Sequence, residues 1–205
     1  MADINREAFV DIVKSKFSDS DINRIVEVGA LDGEDAAYFK RCFSHASVTA
    51  IEGLKENWEN HSPKDIEWLN LVISDYDGDT DYHVKLINGI HGMYDRGKIY
   101  GTEIRKVKCH RLDSIIKDNI DMMKIDVEGA TFEVLSGMGE LLKTVKIMHI
   151  ETESIKYFAG QKKLHSEMCS YLTTSGFTCL RTQGARIETG HQYDSVWINN
   201  DYMDS

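Results

Sequence analysis

The chain has 205 residues, 41% of them hydrophobic and 28% charged, and a formal net charge of −10 at pH 7. This length predicts a single domain over residues 1–205, and the acidic balance argues against nucleic acid as the main partner, because phosphate binding depends on clustered lysine and arginine. We expect a cytoplasmic protein without a membrane span, since no apolar run or signal-peptide pattern is present, and four scattered cysteines indicate neither a disulfide framework nor a zinc site.

The first predicted element is an amphipathic helix that caps the fold within residues 1–22. Polar residues at 18–21 interrupt its periodic pattern. Its apolar face is formed by Ile4, Ala8, Phe9, Ile12, Val13 and Phe17. This spacing is typical of a helix that packs one side against a core.

A strand, a turn and a helix follow in residues 24–43, and the turn is the first candidate binding site. The β-branched run before the turn is typical of a buried parallel strand, and Gly29 and Gly33 let the backbone bend sharply. Their Gly-x-x-x-Gly spacing differs from the Gly-x-Gly-x-x-Gly of a dinucleotide site.

The charges at this turn indicate which ligand it accepts. Asp32, Glu34 and Asp35 lie where a dinucleotide would place its phosphates, and each would oppose a phosphate by ~1 kcal/mol. A nucleoside with a positive charge and no phosphate fits better, and S-adenosylmethionine is such a molecule. Acidic residues in a first helical turn also complement the helix dipole, so the turn alone favours the two interpretations about equally.

Two further predicted strands end in candidate contacts to a nucleoside. Glu52 ends the strand at residues 47–52, about twenty residues beyond the glycines, where an acidic side chain can reach ribose hydroxyls. Ser74 and Asp75 end the strand at residues 67–74 and would offer hydrogen bonds to the adenine edge. Alternatively, Glu52 is a solvated residue at a strand end without a ligand. Only its combination with the preceding glycine turn favours the ribose role.

A long loop lies between two alternating patterns, one around residues 82–87 and one around residues 105–112, each of which predicts a strand. The loop, residues 88–104, contains four glycines together with His91, Tyr94 and Arg96. Because loops of this length inside a compact domain are mobile or functional, we expect a lid over the substrate.

A second acidic turn follows the predicted strand at residues 122–125 and leads into a helical pattern over residues 132–142. Asp126 and Glu128 lie in this turn, and Glu151 ends the neighbouring strand. Because ligands of open parallel sheets bind beyond the C-terminal strand ends, we expect three acidic groups to converge there. Clustered carboxylates can hold Mg²⁺, but no ligand spacing selects a metal, so no metal site is predicted.

With these residues in view, the chain resembles the FkbM family of class I S-adenosylmethionine-dependent methyltransferases over roughly residues 26–151. The matching motifs are Val-Glu-Val-Gly-Ala-x-x-Gly (26–33), Ala-Ile-Glu (50–52), Val-Ile-Ser-Asp (72–75), Leu-Asp-Ser (112–114) and Lys-Ile-Asp-Val-Glu-Gly-Ala (124–130). The last motif is the most specific. The resemblance implies an α/β fold with a Rossmann-like doubly wound and mostly parallel sheet. The residue pattern itself predicts strands at 177–182 and 195–199, which we expect to form an antiparallel last pair across a turn-rich segment.

The resemblance also implies roles for the site residues. The residues implied for S-adenosylmethionine are Glu27, Gly29, Ala30 and Gly33 around the methionine part, Glu52 at the ribose, Ser74 and Asp75 at the adenine, and Asp126 towards the acceptor. Glu128 would share that last position. Two residues depart from the family pattern: Gly53 replaces a common proline, which would change only loop stiffness, and Thr131 replaces a common acid, which would remove any acceptor contact made there.

Methyl transfer from a sulfonium is an in-line displacement, and a hydroxyl acceptor must also lose a proton. We expect Asp126 and Glu128 to orient or deprotonate the acceptor and Glu151 to assist. His91 and His149 are weaker candidates, because a lone histidine in a loop or strand is more often structural.

The family resemblance favours O-methylation, most often of a carbohydrate, glycan or related small molecule. Three alternatives stay open: a catalytically silent module that binds a nucleoside, an NAD-dependent oxidoreductase on a similar sheet, and a Mg-assisted O-methyltransferase. The glycine spacing and the acidic turn disfavour the oxidoreductase, and the full set of strand-end acids disfavours the silent module.

Overall fold

The structure is a computed structural model that describes residues 4–57, 64–85, 89–97, 103–184 and 191–203. The strands are β1 (Arg24–Val28), β2 (Ser47–Ile51), β3 (Glu67–Leu69), β4 (Val72–Ile73), β5 (Gly78–Val84), β6 (Glu103–His110), β7 (Met122–Ile125), β8 (Ile147–Glu153), β9 (Phe177–Gly184) and β10 (Gln192–Asn199). The α-helices are α1 (Arg6–Lys16), α2 (Glu34–Cys42), α3 (Leu112–Ile115), α4 (Thr131–Ser136) and α5 (His165–Thr174).

Seven strands form the main sheet in the order β3-β2-β1-β7-β8-β10-β9. The first five are parallel, whereas β10 runs antiparallel to both β8 and β9. The predicted Rossmann-like, mostly parallel sheet with an antiparallel last pair is therefore confirmed. The strand order reverses between β1 and β7, and in such sheets ligands bind in the crevice beyond the strand ends at this point.

Both faces of the main sheet are covered, which explains why its central strands are apolar at successive positions. Ile25 and Met122 face one core cluster with α1 and α2, while Val26 and Met123 face a second cluster with α4 and α5. The N-terminal helix completes the first cluster through Phe9. Among the described residues, no helix is long and apolar enough to cross a bilayer.

The prediction of one strand over residues 67–74 was wrong. β3 pairs with β2 in the main sheet, but β4 pairs with β6 in a separate three-stranded sheet, β4-β6-β5. The chain leaves the main sheet at Asn70, whose side chain donates to the carbonyl of Glu52 over 2.9 Å. The strand end at Ser74 therefore belongs to a different sheet from the strand end at Glu52.

The helical pattern predicted over residues 132–142 is interrupted after α4. A Cβ on Gly137 would lie 2.0 Å from the carbonyl oxygen of Ser74, so the chain passes close to β4 at this point. A 3₁₀ segment, Gly139–Thr144, then completes the connection to β8. Close packing against the second sheet thus divides one apparent helix into two.

Candidate active site

The turn after β1 packs directly against the end of β7. Gly29 has a φ of +83°, and a Cβ there would lie 1.7 Å from the carbonyl oxygen of Asp126. The Asp126 N–H donates to the carbonyl of Val28 over 2.9 Å, and the Gly29 N–H donates to Ile51 over 2.9 Å. Only glycine fits this position, and the main chain alone brings the ends of three strands together.

We expect Gly29→Ala to lower the free energy of unfolding by more than about 3 kcal/mol, because it combines a left-handed backbone with a main-chain clash. Gly176→Ala is the matched control: its φ is +88° but nothing lies within 4 Å of the added Cβ. It should cost only about 1 kcal/mol. Urea unfolding measures both, and equal losses would show that the contact with Asp126 contributes nothing.

A cavity opens at the C-terminal ends of β1, β2 and β7. It encloses about 630 Å³ including its open mouth, within the range of ~300–1,000 Å³ usual for ligand pockets. Its carboxylates come from Glu52, Asp126 and Glu128, and none of its described lining residues is a lysine or arginine. The apolar lining includes Leu31, Ile51, Leu71, Ile73 and Met93.

Glu52 is fixed at one side of this cavity and is only 5% exposed. Its carboxylate accepts hydrogen bonds from the main-chain N–H of Leu31 over 2.9 Å and of Leu54 over 2.7 Å, and from the Tyr82 hydroxyl over 3.4 Å. Burial raises its pKa, and these hydrogen bonds oppose that rise. A Cβ on Gly53 would lie 2.8 Å from the Tyr82 ring, so Gly53 serves close packing, contrary to the expected effect on loop stiffness alone.

Asp126, Glu128 and Glu151 converge beyond β7, and the first two of them line the cavity. Each offers one carboxylate oxygen within 4.8 Å of the others. Burial and then the charge of Asp126 raise the pKa of Glu128 to about 8, and Arg96 opposes this. Burial, followed by the charges of Asp126 and Glu128, also raises the pKa of Glu151 well above its usual value. The structure thus brings together the three residues for which we expected convergence.

The backbone at Glu128 is strained. Its φ of +51° lies in the left-handed region, and Gly129 follows with a φ of +88°. A Cβ on Gly129 would lie 2.5 Å from the Phe158 ring, so packing holds this turn in place. Non-glycine residues with left-handed backbone cluster at functional sites, where the surrounding structure maintains the strain.

The same three carboxylates are the only group of acidic, histidine or cysteine side chains, among the described residues, that could hold a metal ion. Hard oxygen ligands of this kind suit Mg²⁺ or Ca²⁺. No metal site was predicted from the sequence, because converging carboxylates do not by themselves select a metal.

The structure does not bring Ser74 and Asp75 to the cavity. Ser74 is fully buried, with its carbonyl against Gly137, and Asp75 forms an ion pair of 2.6 Å with Lys162. Ile73, which precedes them at the end of β4, does line the cavity, so a contact of Ser74 or Asp75 with adenine stays a prediction.

Three other residues expected around the methionine part of the cofactor do not line the cavity but pack beneath the glycine turn. Ala30 is buried in the core, and a Cβ on Gly33 would lie 2.3 Å from the Trp68 ring. Glu27 is 1% exposed, and its Oε1 lies 3.4 Å from Nζ of Lys124. Burial raises the pKa of Glu27 to about 8 despite this lysine. Its Oε2 has no hydrogen-bond partner among the described residues.

Two of the three acids of the glycine turn, Glu34 and Asp35, are paired with cations, which corrects the sequence argument. Asp35 contacts Lys124 at 2.8 Å and Arg6 of α1 at 3.2 Å, and Arg6 also contacts Glu34 at 3.2 Å. None of the turn's acids lines the cavity. Its negative lining comes instead from the strand-end carboxylates Glu52, Asp126 and Glu128.

The two histidines occupy different surroundings. His91 lines the cavity, its Nδ1 accepts from the main-chain N–H of Lys85 over 2.9 Å, and burial lowers its pKa. His149 lies under α1, with its ring centroid 5.4 Å from that of Phe9 and Nε2 2.9 Å from a carboxylate oxygen of Asp194. His149 is therefore a core residue.

The described part of the predicted lid, residues 89–97, is tethered on both sides. Gly92 pairs with His83 of β5, and the carbonyl of Asp95 accepts from the N–H of Ala159 over 3.0 Å. The Tyr94 hydroxyl donates to a carboxylate oxygen of Glu133 over 2.6 Å. Residues 88 and 98–102 lie outside the described residues, and residues 103 and 104 belong to β6 rather than to a loop.

Arg96 was predicted only as part of the lid loop, and the structure places it at the site. Its Nη1 lies 3.1 Å from Oε2 of Glu128. Its position in a glycine-rich loop offered no signal for this partner. Thr131 also has a definite role: its hydroxyl donates to the carbonyl of Glu151 over 2.8 Å and so fixes the end of β8.

Comparison with known proteins agrees with this geometry. Residues 27–179 match the model of the methyltransferase FkbM domain. The chain is 25% identical over 165 residues to 2-O-methyltransferase NoeI of Sinorhizobium fredii (strain NBRC 101917 / NGR234), covering 69% of this chain and 68% of that protein.

Solved structures show the same fold at low identity. Methyltransferase FkbM from Methylobacillus flagellatus KT has 13% identity and a TM-score of 0.58, covering 87% of this chain and 44% of that one, so this chain spans less than half its length. Magnesium protoporphyrin IX methyltransferase (ChlM) from Synechocystis PCC 6803 with bound SAM has 9% identity and a TM-score of 0.53, covering 95% of this chain and 79% of that one. With a family model matched over most of its length, the chain belongs to the FkbM methyltransferase family.

Proposed function

We propose that this chain is an S-adenosylmethionine-dependent methyltransferase that methylates a hydroxyl of a sugar, a glycan or a related small molecule. One observation carries the proposal: a single cavity is lined by a fixed carboxylate, Glu52, after β2 and by the carboxylates of Asp126 and Glu128 after β7, with β1 between these two strands. Membership of the FkbM family supports methyl transfer, and the 2-O-methyltransferase relative supports oxygen as the acceptor atom.

The cavity residues fit this cofactor. Glu52 is held by two main-chain N–H groups and would accept hydrogen bonds from ribose hydroxyls. The lining without lysine or arginine suits a sulfonium cation, and its apolar part suits a purine ring. When bound, S-adenosylmethionine supplies an electrophilic methyl group.

The acidic residues would bind the acceptor and take its proton. A hydroxyl becomes a good nucleophile only as its proton leaves, and a base with a pKa near the working pH is the most effective. Glu128, with its pKa raised to about 8, meets this condition. Asp126, 3.6 Å from Nζ of Lys124, would orient the acceptor, and Glu151 would assist from the next strand.

The test compares ligands and then products. Calorimetry should show binding of S-adenosylmethionine and no comparable binding of NAD. Incubation with isotopically labelled cofactor and a panel of sugar and glycan acceptors should then give a methyl ether detected by mass spectrometry. Tighter binding of NAD would favour an oxidoreductase, and cofactor binding without transfer to any acceptor would favour a silent module.

A Mg-assisted reaction is a second candidate, favoured by the three carboxylate oxygens within 4.8 Å of one another. A divalent cation there could bind an acceptor diol and lower its pKa. Methyl transfer that stops with a chelator and returns with Mg²⁺ would support this candidate, and transfer unchanged by the chelator would exclude it. A cytoplasmic location and the lack of a nucleic-acid partner stay predictions from composition.

A further inference from the structure

Arg96 lies against the acceptor-side carboxylates. A Cβ on the nearby Gly92 would lie 3.4 Å from the Cβ of Glu128, so the segment that carries Arg96 packs directly on the acidic turn. From this segment Arg96 reaches Glu128, with Nη1 3.1 Å from Oε2, and its side chain is only 17% exposed. Arg96 therefore adds the positive charge that lies closest to Glu128 among the described residues.

Two aromatic rings fix the orientation of the guanidinium. Its central carbon lies 5.5 Å from the ring centroid of Tyr157 and 5.3 Å from that of Phe158. Cation–π contacts of this kind hold a planar guanidinium at small conformational cost to binding. Arg96 is thus prepared to bind before any ligand arrives.

Most of the hydrogen-bonding capacity of Arg96 is unused. A guanidinium has five N–H donors, and here one nitrogen, Nη1, contacts Glu128. Nε and Nη2 have no hydrogen-bond partner among the described residues, and neither is a fully buried orphan. The unused donors are available to a ligand that approaches Glu128.

The neighbouring charges decide which ligand fits. An anionic group on Arg96 would also face Asp126, Glu128 and Glu151, which oppose it. A neutral hydroxyl group can instead donate to Glu128 while an adjacent oxygen accepts from Arg96. Because Arg96 and Glu128 already contact each other, with Nη1 3.1 Å from Oε2, the unused donors of the guanidinium and the carboxylate are close enough to be reached by two oxygens on neighbouring carbons.

We propose that Arg96 binds the acceptor and selects molecules in which a second hydroxyl stands on the carbon next to the methylated one. This inference rests on the proposed hydroxyl methylation and adds its substrate requirement. Glu128 takes the proton of the reacting hydroxyl, and Arg96 holds the neighbouring oxygen.

The experiment pairs enzyme variants with matched acceptors. Methyl glycosides of common hexoses and 6-deoxyhexoses are compared with analogues in which the hydroxyl next to the methylated one is replaced by hydrogen. The wild-type enzyme should prefer the intact acceptor by about 10²-fold in kcat/KM, because the analogue leaves the guanidinium unpaired. Arg96→Met should reduce this preference to less than about threefold, and Arg96→Lys, which keeps the charge but loses the planar fork, should fall between.

Two controls separate this role from a structural one. Arg41→Met removes an exposed arginine that also lies over an aromatic ring, that of Tyr38 at 5.6 Å, and should leave the preference unchanged. S-adenosylmethionine affinity should stay within about threefold in all variants, since Arg96 does not line the cofactor cavity. A wild-type enzyme that methylates both acceptors equally, or an Arg96→Met variant that keeps the full preference, would overturn the proposal.

Direct binding gives a result that does not depend on turnover. Saturation-transfer NMR on protein loaded with S-adenosylhomocysteine should detect the intact glycosides with the wild type and lose them with Arg96→Met. Absence of binding by any glycoside that carries adjacent hydroxyls would overturn the role of Arg96. Binding that depends on Arg96, combined with no methyl transfer, would support that role and refute the proposed function instead.

Discussion

Replacing Glu128 by glutamine is expected to reduce kcat for methyl transfer by about 10²- to 10⁴-fold, the usual contribution of a general base. Glutamine keeps the size and the position next to Arg96 but cannot accept the acceptor's proton. Cofactor affinity, measured by calorimetry, should change by less than about threefold, because the proposed ribose contact is Glu52, which follows a different strand.

The pH dependence of kcat in the wild-type enzyme should also show that a general base is required. A general base acts only when ionised, so kcat should rise as pH increases through about 8, the pKa to which burial and Asp126 raise Glu128, and level off above it. Glu140→Gln, an exposed glutamate paired with Lys143, is the control and should keep the wild-type profile. Near-normal activity in Glu128→Gln would transfer the role to Asp126, which Asp126→Asn would then test by loss of turnover.

Replacing Glu52 by glutamine should weaken S-adenosylmethionine binding by about 10- to 10²-fold. Hydrogen bonds to a charged group contribute about 1.5–3 kcal/mol, and the neutral amide would lose that gain towards the ribose while also disturbing the N–H donors of Leu31 and Leu54. At saturating cofactor, kcat should recover to within a few-fold of the wild type, because the acceptor carboxylates are unchanged.

Glu67→Gln is the matched control for this substitution. Glu67 lies one strand further along the sheet, where it accepts a hydrogen bond from the Thr49 hydroxyl over 2.9 Å, and it does not line the cavity. Thermal unfolding of both variants separates lost affinity from lost stability. Unchanged cofactor affinity in Glu52→Gln would show that the ribose lies elsewhere, and the proposed orientation of the cofactor would then be wrong.

The convergence of Asp126, Glu128 and Glu151 could be predicted from sequence because it depends on a general property of parallel sheets. Each residue follows a run that reads as a buried strand, and neighbouring parallel strands place their C-terminal ends at one edge. Glu52 followed from the same rule. To predict where these four residues lie, it was enough to know which segments form strands and that neighbouring strands run parallel.

The wrong prediction of one strand over residues 67–74 has a different cause. Residues 67–74 read locally as one strand, and the break at Asn70 depends on β6, which is more than thirty residues away in sequence. The second sheet could be recognised only from that distant pairing. Residues whose position depends on which sheet their strand joins were therefore beyond local reasoning.

The partners of the glycine-turn acids were also out of reach. Arg6 lies in α1 and Lys124 in β7, and no local sequence pattern predicts that both contact Asp35. Lys124 does indicate such a contact. A lysine between apolar neighbours in a central parallel strand needs a buried counterion. Such a residue could have indicated that the nearby acids were already neutralised.

The close contact between Gly29 and the carbonyl oxygen of Asp126 is made by main-chain atoms, and it requires that residue 29 has no side chain. Main-chain geometry therefore sets the distance between the glycine turn after β1 and the acidic turn after β7, independently of the side chains at the mouth of the cavity. Substitutions among the side chains around the cavity should therefore leave this main-chain contact intact, so that acceptor preference is open to change without a change in the turn.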